Sequence, residues 1–139
     1  MGKNKICCFG EILWDLFPEG KKLGGAPFNV ASSLKGLGAD VEFISRIGQD
    51  NLGDEILMQI ANQGISTDYI QIDPIHPTGK VEVSLDAKGA AAYTIEEDAA
   101  WDFIESNEKS LKLVQNSKAF VFGSLIARGA SFNALKIFL

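Results

Sequence analysis

Apolar residues along the chain fall into two patterns that alternate, short uninterrupted runs and stretches with helical spacing. Uninterrupted runs are typical of strands that are buried on both faces. Such a run lies at Ile6–Phe9, and the mainly apolar segments Val41–Ile44 and Lys118–Phe122 are predicted to be further strands. Helical spacing predicts helices over residues 27–37, 53–63 and 128–139. Strands that alternate with helices predict an α/β fold in which a mainly parallel sheet carries helices on both faces.

The first predicted helix has both of its ends marked in the sequence. Pro27 suits the first turn, where its missing N–H costs nothing. Val30, Leu34 and Leu37 follow at i, i+4 and i+7 and predict the buried face. Gly38 suits the C-terminal cap.

Residues 80–95 depart from this pattern. Apolar and polar residues alternate strictly from Lys80 to Asp86, a turn follows at residues 87–89, and Ala91–Ile95 returns. This pattern predicts an antiparallel hairpin with one face in solvent. We interpret the hairpin as a lid or a dimer surface; a plain edge hairpin is the alternative, and periodicity does not separate the two.

Composition and charge favour a globular domain and argue against a nucleic-acid-binding or membrane-spanning protein. Of the 139 residues 46% are hydrophobic and 22% are charged, which is typical of a globular domain. The formal net charge of −5 argues against a nucleic-acid partner. No apolar window is long enough to span a bilayer, and without an export signal we expect a cytoplasmic protein. Cys7 and Cys8 are expected to be buried thiols.

The sequence offers no set of metal ligands. His76 is the single histidine and lies between Pro74 and Pro77, so we expect a solvated loop side chain. Metal sites built from His and Cys need several ligands at fixed spacing, so no metal site is predicted. Neither a Walker A loop nor a dinucleotide fingerprint is present.

The segment Leu23–Ala31 is the strongest candidate for a ligand site. Paired glycines let the backbone pass close to a ligand, and the helix start that follows offers N–H groups. Asn29 both donates and accepts hydrogen bonds, as a sugar hydroxyl requires, and Asp15 would accept from the same ligand. A helix start with a flexible turn and no ligand explains these residues equally well.

The same segment resembles the first signature of the PfkB (ribokinase-like) carbohydrate kinases. Gly24–Ala31 is followed at the family's spacing by Gly38 and Gly48, and Gly48–Gly53 resembles the family's Gly-x-Asp-x-x-Gly stretch. Four further segments resemble the fructokinase branch of the family: Gly10–Pro18, Pro77–Val81, Trp101–Phe103 and Phe122–Leu125.

This resemblance implies a fold and a reaction. The fold would be a ribokinase-like three-layer α/β/α domain with a mainly parallel sheet and a small β lid near residues 11–23 and 78–97. The enzyme would transfer the γ-phosphoryl group of ATP, with Mg²⁺, to a hydroxyl of fructose or a related sugar. Residues 1–139 would form the N-terminal part of one sugar-kinase domain and supply its sugar-binding half. A homodimer would form through the lid.

The resemblance also implies roles for single residues. Asp15 would hold sugar hydroxyls, Gly25 and Asn29 would line the floor of the pocket, and Gly24 would also bind the substrate. Further substrate-binding candidates are Phe103 beside the sugar, Tyr93 in the lid, and Ser124 and Arg128 after a strand.

One part of the family pattern has no match. The family's catalytic Asp lies in a second signature, Gly-Ala-Gly-Asp, which residues 1–139 lack. Leu135, Phe138 and Leu139 continue a helical apolar face to the last position without a cap. We therefore expect the C-terminal nucleotide-binding part to be absent from this chain, which alone would be inactive. The alternatives are a kinase for ribose, ketogluconate or adenosine, or a short non-catalytic sugar-binding or interaction protein.

Overall fold

The computed structural model describes residues 4–139, so the first three residues of the expected 1–139 portion lie outside the described residues. The strands are β1 (Ile6–Phe9), β2 (Leu13–Phe17), β3 (Gly20–Gly24), β4 (Val41–Gly48), β5 (Ile70–Asp73), β6 (Gly79–Leu85), β7 (Ala91–Ile95) and β8 (Ala119–Phe122). The helices are α1 (Ala26–Gly36), α2 (Asn51–Asn62), α3 (Glu108–Gln115) and α4 (Gly129–Phe138), with a 3₁₀ turn at Ala100–Phe103.

Four parallel strands form the main sheet, in the order β5-β4-β1-β8. Adjacent residues of β1 point to opposite faces. Cys8 belongs to a core cluster that includes residues of α1 and α2, whereas Cys7 belongs to a second cluster with residues of α3 and α4. The two cysteines are free and fully buried, as predicted. The predicted α/β/α arrangement around a parallel sheet is therefore confirmed.

The other four strands form a second sheet, in the order β3-β2-β6-β7. β6 and β7 pair antiparallel, with Leu85 opposite Ala91, so the predicted hairpin is confirmed. The single solvent face is not confirmed for β7, because all of its residues are exposed. β2 pairs with β3 antiparallel and with β6 parallel. Leu13, Val81 and Val83 of this sheet form a small buried cluster, whereas the buried Trp14 of β2 packs in the core cluster of α1 and α2.

The predicted buried face of α1 is wrong at Val30 and Leu37, while Leu34 packs partly buried against the core. Pro27, Phe28 and Ala31 are the buried residues of this helix, whereas Val30 is 38% exposed and Leu37 is 85% exposed. Apolar residues lie on more than one side of α1, and the position of the sheet decides which side is covered. The predicted C-terminal cap is confirmed, because Gly38 has a φ of 86° directly after the helix end.

The Gly48–Gly53 stretch joins α2 to the start of β6. Asp50 caps α2 by accepting from the Gly53 N–H at 2.8 Å, and it also accepts from the Thr78 N–H and Oγ1 at 3.0 and 2.7 Å. A Cβ on Gly53 would collide with the carbonyl oxygen of Gly48, so the turn requires glycine. Burial raises the pKa of Asp50, but these hydrogen bonds outweigh burial and hold it below its usual range.

Two regular elements have no counterpart in the prediction. β5 is only four residues long, and α3 has a buried face formed by Ser110 and Leu113. Such short elements carry little periodic signal. Among residues 4–139, none of the helices has the length and apolar character needed to cross a membrane.

Candidate functional site

Polar residues gather where the parallel strands of the main sheet end. Glu11 follows β1, Asp50 follows β4, His76 follows β5, and Ser124 follows β8. Because the strands are parallel, these positions lie at the same edge of the sheet, which we call the carboxyl edge. Open α/β sheets bind ligands at this edge.

The two glycines before α1 form a tightly packed turn, which we call the glycine turn (Gly24–Gly25). Gly25 has a φ of 109° and is the N-cap residue of α1. A Cβ on Gly25 would collide with the carbonyl oxygen of Glu11, so both the conformation and the space require glycine. The chain after β1 and the start of α1 therefore lie in direct contact.

Asp15 lies against the other glycine of this turn. Asp15 pairs with Lys22 across the β2–β3 ladder, and a Cβ on Gly24 would lie 2.5 Å from its Oδ2. Burial raises the pKa of the half-buried Asp15 carboxyl, and the charge of Lys22 opposes this rise. Asn29, in the first turns of α1, has an exposed side chain, and its backbone N–H donates to the Gly25 carbonyl at 2.9 Å. The structure thus places the four predicted residues of this region around one turn.

A second group of residues surrounds a cavity of about 250 Å³. Arg128 donates from Nε and Nη2 to Asp102 at 2.5 and 2.9 Å. Its guanidinium lies 4.3 Å from the ring centroid of Trp101. The cavity is lined by Glu97, Asp98, Asp102, Phe103, Arg128 and Gly129. Of the sequence-predicted residues, Phe103 and Arg128 therefore meet at this cavity.

The expectation that His76 is a solvated loop side chain is wrong. Its ring stacks on Phe103, with the centroids 3.6 Å apart and the planes at 11°. Nδ1 lies 2.9 Å from Oδ2 of the buried Asp73, which also accepts from Arg46 Nε at 2.9 Å. Burial raises the pKa of Asp73, but hydrogen bonds from His76, Ile75 and Arg46 outweigh burial and hold the pKa far below its usual range. The ionised Asp73 carboxylate can only accept hydrogen bonds. Nδ1 of His76 therefore carries a proton and donates it in the hydrogen bond to Asp73.

Two further predicted residues, Tyr93 and Ser124, are not among those that line the cavity. Tyr93 is 64% exposed on β7 and stands opposite Val83. Ser124 is exposed after β8.

Glu11 had no role in the sequence prediction. Its backbone carbonyl contacts Gly25 of the glycine turn, and the charge of Arg128 acts on its carboxyl group. Its side chain is buried, and Oε2 has no hydrogen-bond partner within residues 4–139. Burial raises the pKa of Glu11, while the N–H groups of Glu11 and Ala26 and the charge of Arg128 oppose this rise. A charged residue directly after a buried strand was the available signal. No local signal exists for the pairing of Asp102 with Arg128, which are far apart in sequence.

A parallel sheet between two helical layers, with a second sheet attached and a glycine turn at a helix start, defines a ribokinase-like fold. The sequence matches the pfkB family carbohydrate kinase over residues 3–136. The chain belongs to this family, as its first signature predicted.

Similar proteins support the same assignment. A fructokinase from Klebsiella pneumoniae is 35% identical over 96 residues, which cover 66% of this chain and 31% of that protein. The crystal structure of an uncharacterized sugar kinase from Pyrococcus horikoshii superimposes with a TM-score of 0.86 at 28% identity, covering 96% of this chain and 48% of that one. Fructokinase from Xylella fastidiosa with bound ATP gives a TM-score of 0.81 at 26% identity, covering 98% and 45%. The chain thus spans less than half the length of these relatives.

Proposed function

We propose that this chain is the sugar-binding half of an ATP-dependent carbohydrate kinase that phosphorylates a hydroxyl of fructose or a related neutral sugar. The observation that carries the proposal is the placement of the Asp15 carboxylate against the glycine turn, at the start of a helix that presents Asn29. Membership of the pfkB family supports the reaction class. A fructokinase among the similar proteins supports the choice of sugar.

The glycine turn and its neighbours would bind the sugar through its hydroxyl groups. A carboxylate accepts hydrogen bonds from hydroxyls, so Asp15 would fix the orientation of the sugar. Gly25 would let the backbone approach the ring, and the amide of Asn29 would donate and accept at the same time. Holding the sugar in one orientation contributes to catalysis, because phosphoryl transfer depends on alignment of the attacking hydroxyl.

The charges at the cavity favour an uncharged sugar. Three carboxyl groups line it, from Glu97, Asp98 and Asp102, against the single guanidinium of Arg128. Asp102 already binds that guanidinium through two nitrogens. A sugar acid such as a ketogluconate would meet excess negative charge, whereas fructose, ribose or another neutral sugar would not. Phe103, held by His76, would pack against the apolar face of the sugar ring.

ATP would bring Mg²⁺ to the reaction on its phosphates. Within residues 4–139, no three His, Cys, Asp or Glu side chains come together as a metal site, so no step is assigned here to the metal. A relative with bound ATP supports the nucleotide. The catalytic Asp and the nucleotide-binding groups are expected in the part of the enzyme that this chain does not contain.

The second sheet would act as a lid over the sugar. Closure of such a sheet would exclude water, so that the sugar hydroxyl and not water accepts the phosphoryl group. β7 is exposed at every residue, and within the described chain it pairs on one side only. This edge would be the homodimer surface.

The test is the kinetics of Asp15→Ala in the complete enzyme, measured with a coupled assay for ADP release. We expect kcat/KM for fructose to fall about 10- to 100-fold, because a hydrogen bond to a charged group is lost, with KM for ATP unchanged. Asp68→Ala is the matched control, because this exposed carboxylate precedes β5 at the opposite edge of the main sheet. Unchanged fructose kinetics in Asp15→Ala would remove Asp15 from the site.

A panel of acceptors tests the choice of sugar. The complete enzyme is assayed with fructose, ribose, ketogluconate and adenosine at equal concentrations. Neutral sugars are expected to be phosphorylated in preference to ketogluconate. The highest kcat/KM for ketogluconate would contradict the neutral-sugar proposal, and binding of fructose without phosphorylation would favour a non-catalytic sugar-binding protein.

A further inference from the structure

The Phe103 side chain lies at the cavity and is not part of the apolar core. Within residues 4–139 it belongs to none of the buried apolar clusters, although Trp101 and Ile104 on either side of it belong to one. The backbone is also fixed here, because the Ile104 N–H donates to the buried Ser131 hydroxyl at 2.8 Å. The core therefore fixes the course of the chain at this point but does not fix the Phe103 ring.

The His76 ring supplies a contact that the core does not. The two rings are nearly parallel, with their centroids 3.6 Å apart, and His76 comes from the loop between β5 and β6. This loop is joined to the 3₁₀ turn by a backbone hydrogen bond, in which the Ala100 N–H donates to the Pro77 carbonyl at 2.7 Å. Aromatic pairs contribute stabilisation beyond the area that they bury. His76 therefore restricts the positions open to the Phe103 ring.

The His76 ring is itself held by the buried Asp73 carboxylate. Oδ2 of Asp73 lies 2.9 Å from Nδ1 of His76 and 2.9 Å from Nε of Arg46. Arg46 also donates to Oε1 of Gln71 at 3.1 Å, and Gln71 binds the N–H and the carbonyl of Glu105 at 2.9 and 2.7 Å. One guanidinium thus supports two contacts with the chain at the cavity, one through the His76 ring and one through the Glu105 backbone.

We propose that His76 is a positioning residue for the sugar site, one that holds the Phe103 ring where it would pack against the sugar. The Asp73 carboxylate orients the imidazole by accepting from Nδ1, and the face of the imidazole then sets the plane of the Phe103 ring. His76 is not among the residues that line the cavity, so it acts through Phe103. The inference rests on the proposed function and adds a residue that supports its site.

Two substitutions separate the ring from the rest of the side chain. His76→Ala removes the ring, whereas His76→Phe keeps a flat ring beside Phe103 and gives up the hydrogen bond to Asp73. In the complete enzyme, we expect His76→Ala to raise KM for fructose about three- to tenfold with KM for ATP unchanged, and His76→Phe to stay within about twofold of the wild type. Ile60→Val is the control for a general loss of stability, because it trims a buried side chain in the other core cluster.

Folding of these variants is expected, because Asp73 keeps the hydrogen bond from Arg46 in both of them. If His76→Ala does not fold, His76→Asn replaces it. The Asn amide nitrogen can donate to Asp73 from the position of Nδ1, but Asn has no ring to stack on Phe103.

A second measurement does not depend on activity. His76 is the only histidine among the 139 residues, and its imidazole signal in the proton NMR spectrum of the complete enzyme is the one that His76→Phe lacks. Protons above an aromatic ring resonate upfield, so Phe103→Leu should move this signal downfield. Fructose should also move it in the wild type, because the sugar would contact the opposite face of Phe103.

The outcomes are distinct. An unchanged His76 signal in Phe103→Leu would overturn the inference, and so would an unchanged fructose KM in His76→Ala or an equal rise of KM in His76→Phe or Ile60→Val. A wild-type enzyme that neither binds nor phosphorylates a sugar would overturn the proposed function, whereas the His76 signal in Phe103→Leu would still decide whether His76 holds Phe103.

Discussion

Asp15 and Gly24 lie on neighbouring strands, and the carboxylate fills the space that a side chain at position 24 would need. Gly24→Ala should therefore displace the Asp15 carboxylate and raise KM for fructose about tenfold. The measurement is steady-state kinetics of the complete enzyme. Gly36→Ala is the matched control, because no atom lies within 4 Å of the added methyl group. Equal fructose kinetics in both variants would contradict the assigned contact.

Asp73 gives the protein a pH-dependent contribution to stability. Its pKa in the folded protein lies below the unfolded value, so the contribution is present above about pH 4 and is lost as the pH falls further. We expect Asp73→Asn to lower the free energy of unfolding at pH 7 by on the order of 2 kcal/mol and to flatten its fall below about pH 4, where the wild type loses this contribution. Urea unfolding at a series of pH values measures both effects.

An exposed carboxylate provides the control for this pH series. Glu19→Gln changes an exposed side chain at the turn between β2 and β3. Its unfolding free energy should follow the wild-type pH dependence. A pH dependence of Asp73→Asn identical to that of the wild type would show that Asp73 does not carry the effect.

Single residues were predictable where their chemistry is local. The paired glycines and Asn29 share one short segment, so the sequence alone could mark them as a ligand-binding turn. The stacking of His76 on Phe103 and the pairing of Arg128 with Asp102 join residues far apart in the chain. Such contacts depend on how the elements pack, which residue types and spacing do not determine.

The end of α1 provides a matched pair of glycines at the scale of the element. Gly36 and Gly38 both have open space where a Cβ would lie, but only Gly38 has a positive φ, of 86°. Gly36→Ala should stabilise the protein by up to about 0.5–1 kcal/mol, and Gly38→Ala should destabilise it by about 1–2 kcal/mol. Thermal unfolding of both variants measures the difference. Similar shifts of Tm would show that this backbone conformation does not end the helix.

The elements themselves were predictable to different degrees. β1 and β8 are uninterrupted apolar runs, and both were placed within one residue of their observed bounds. The buried face of α1 could not be predicted in the same way. Phe28 and Val30 are both apolar, but the sheet covers only Phe28. Periodicity shows that a helix can bury a face, but the neighbouring layer selects which one.

At the scale of the whole molecule, the reactivity of the adjacent cysteines measures the opening of the core on each face of the main sheet. Cys8 lies on the side of α1 and α2, and Cys7 lies on the side of α3 and α4. Burial raises the pKa of Cys7 to about 12 and that of Cys8 to about 11, and both are fully buried. We expect neither thiol to react with iodoacetamide until the protein unfolds, because alkylation requires an exposed thiolate. The rate of alkylation is measured by mass spectrometry in Cys7→Ala and Cys8→Ala, each of which retains one thiol.

If the two helical layers unfold together, the two variants should show the same dependence of alkylation on urea after correction for their stabilities. Faster alkylation of one thiol at low urea would show that the layer on its side of the sheet opens separately. Alkylation of either thiol at the rate of a small-molecule thiol would contradict its burial.

The only two tryptophans lie where the second sheet meets the rest of the protein. Trp14 is on β2 and donates Nε1–H to the Leu52 carbonyl of α2 at 3.1 Å. Trp101 lies against β6, where a Cβ on Gly79 would be 2.5 Å from its ring. Each indole therefore contacts both the second sheet and the rest of the protein. The intrinsic tryptophan fluorescence should therefore change when one sheet tilts relative to the other, so this movement can be followed without an attached dye. Replacing one tryptophan by Phe leaves the emission of the other.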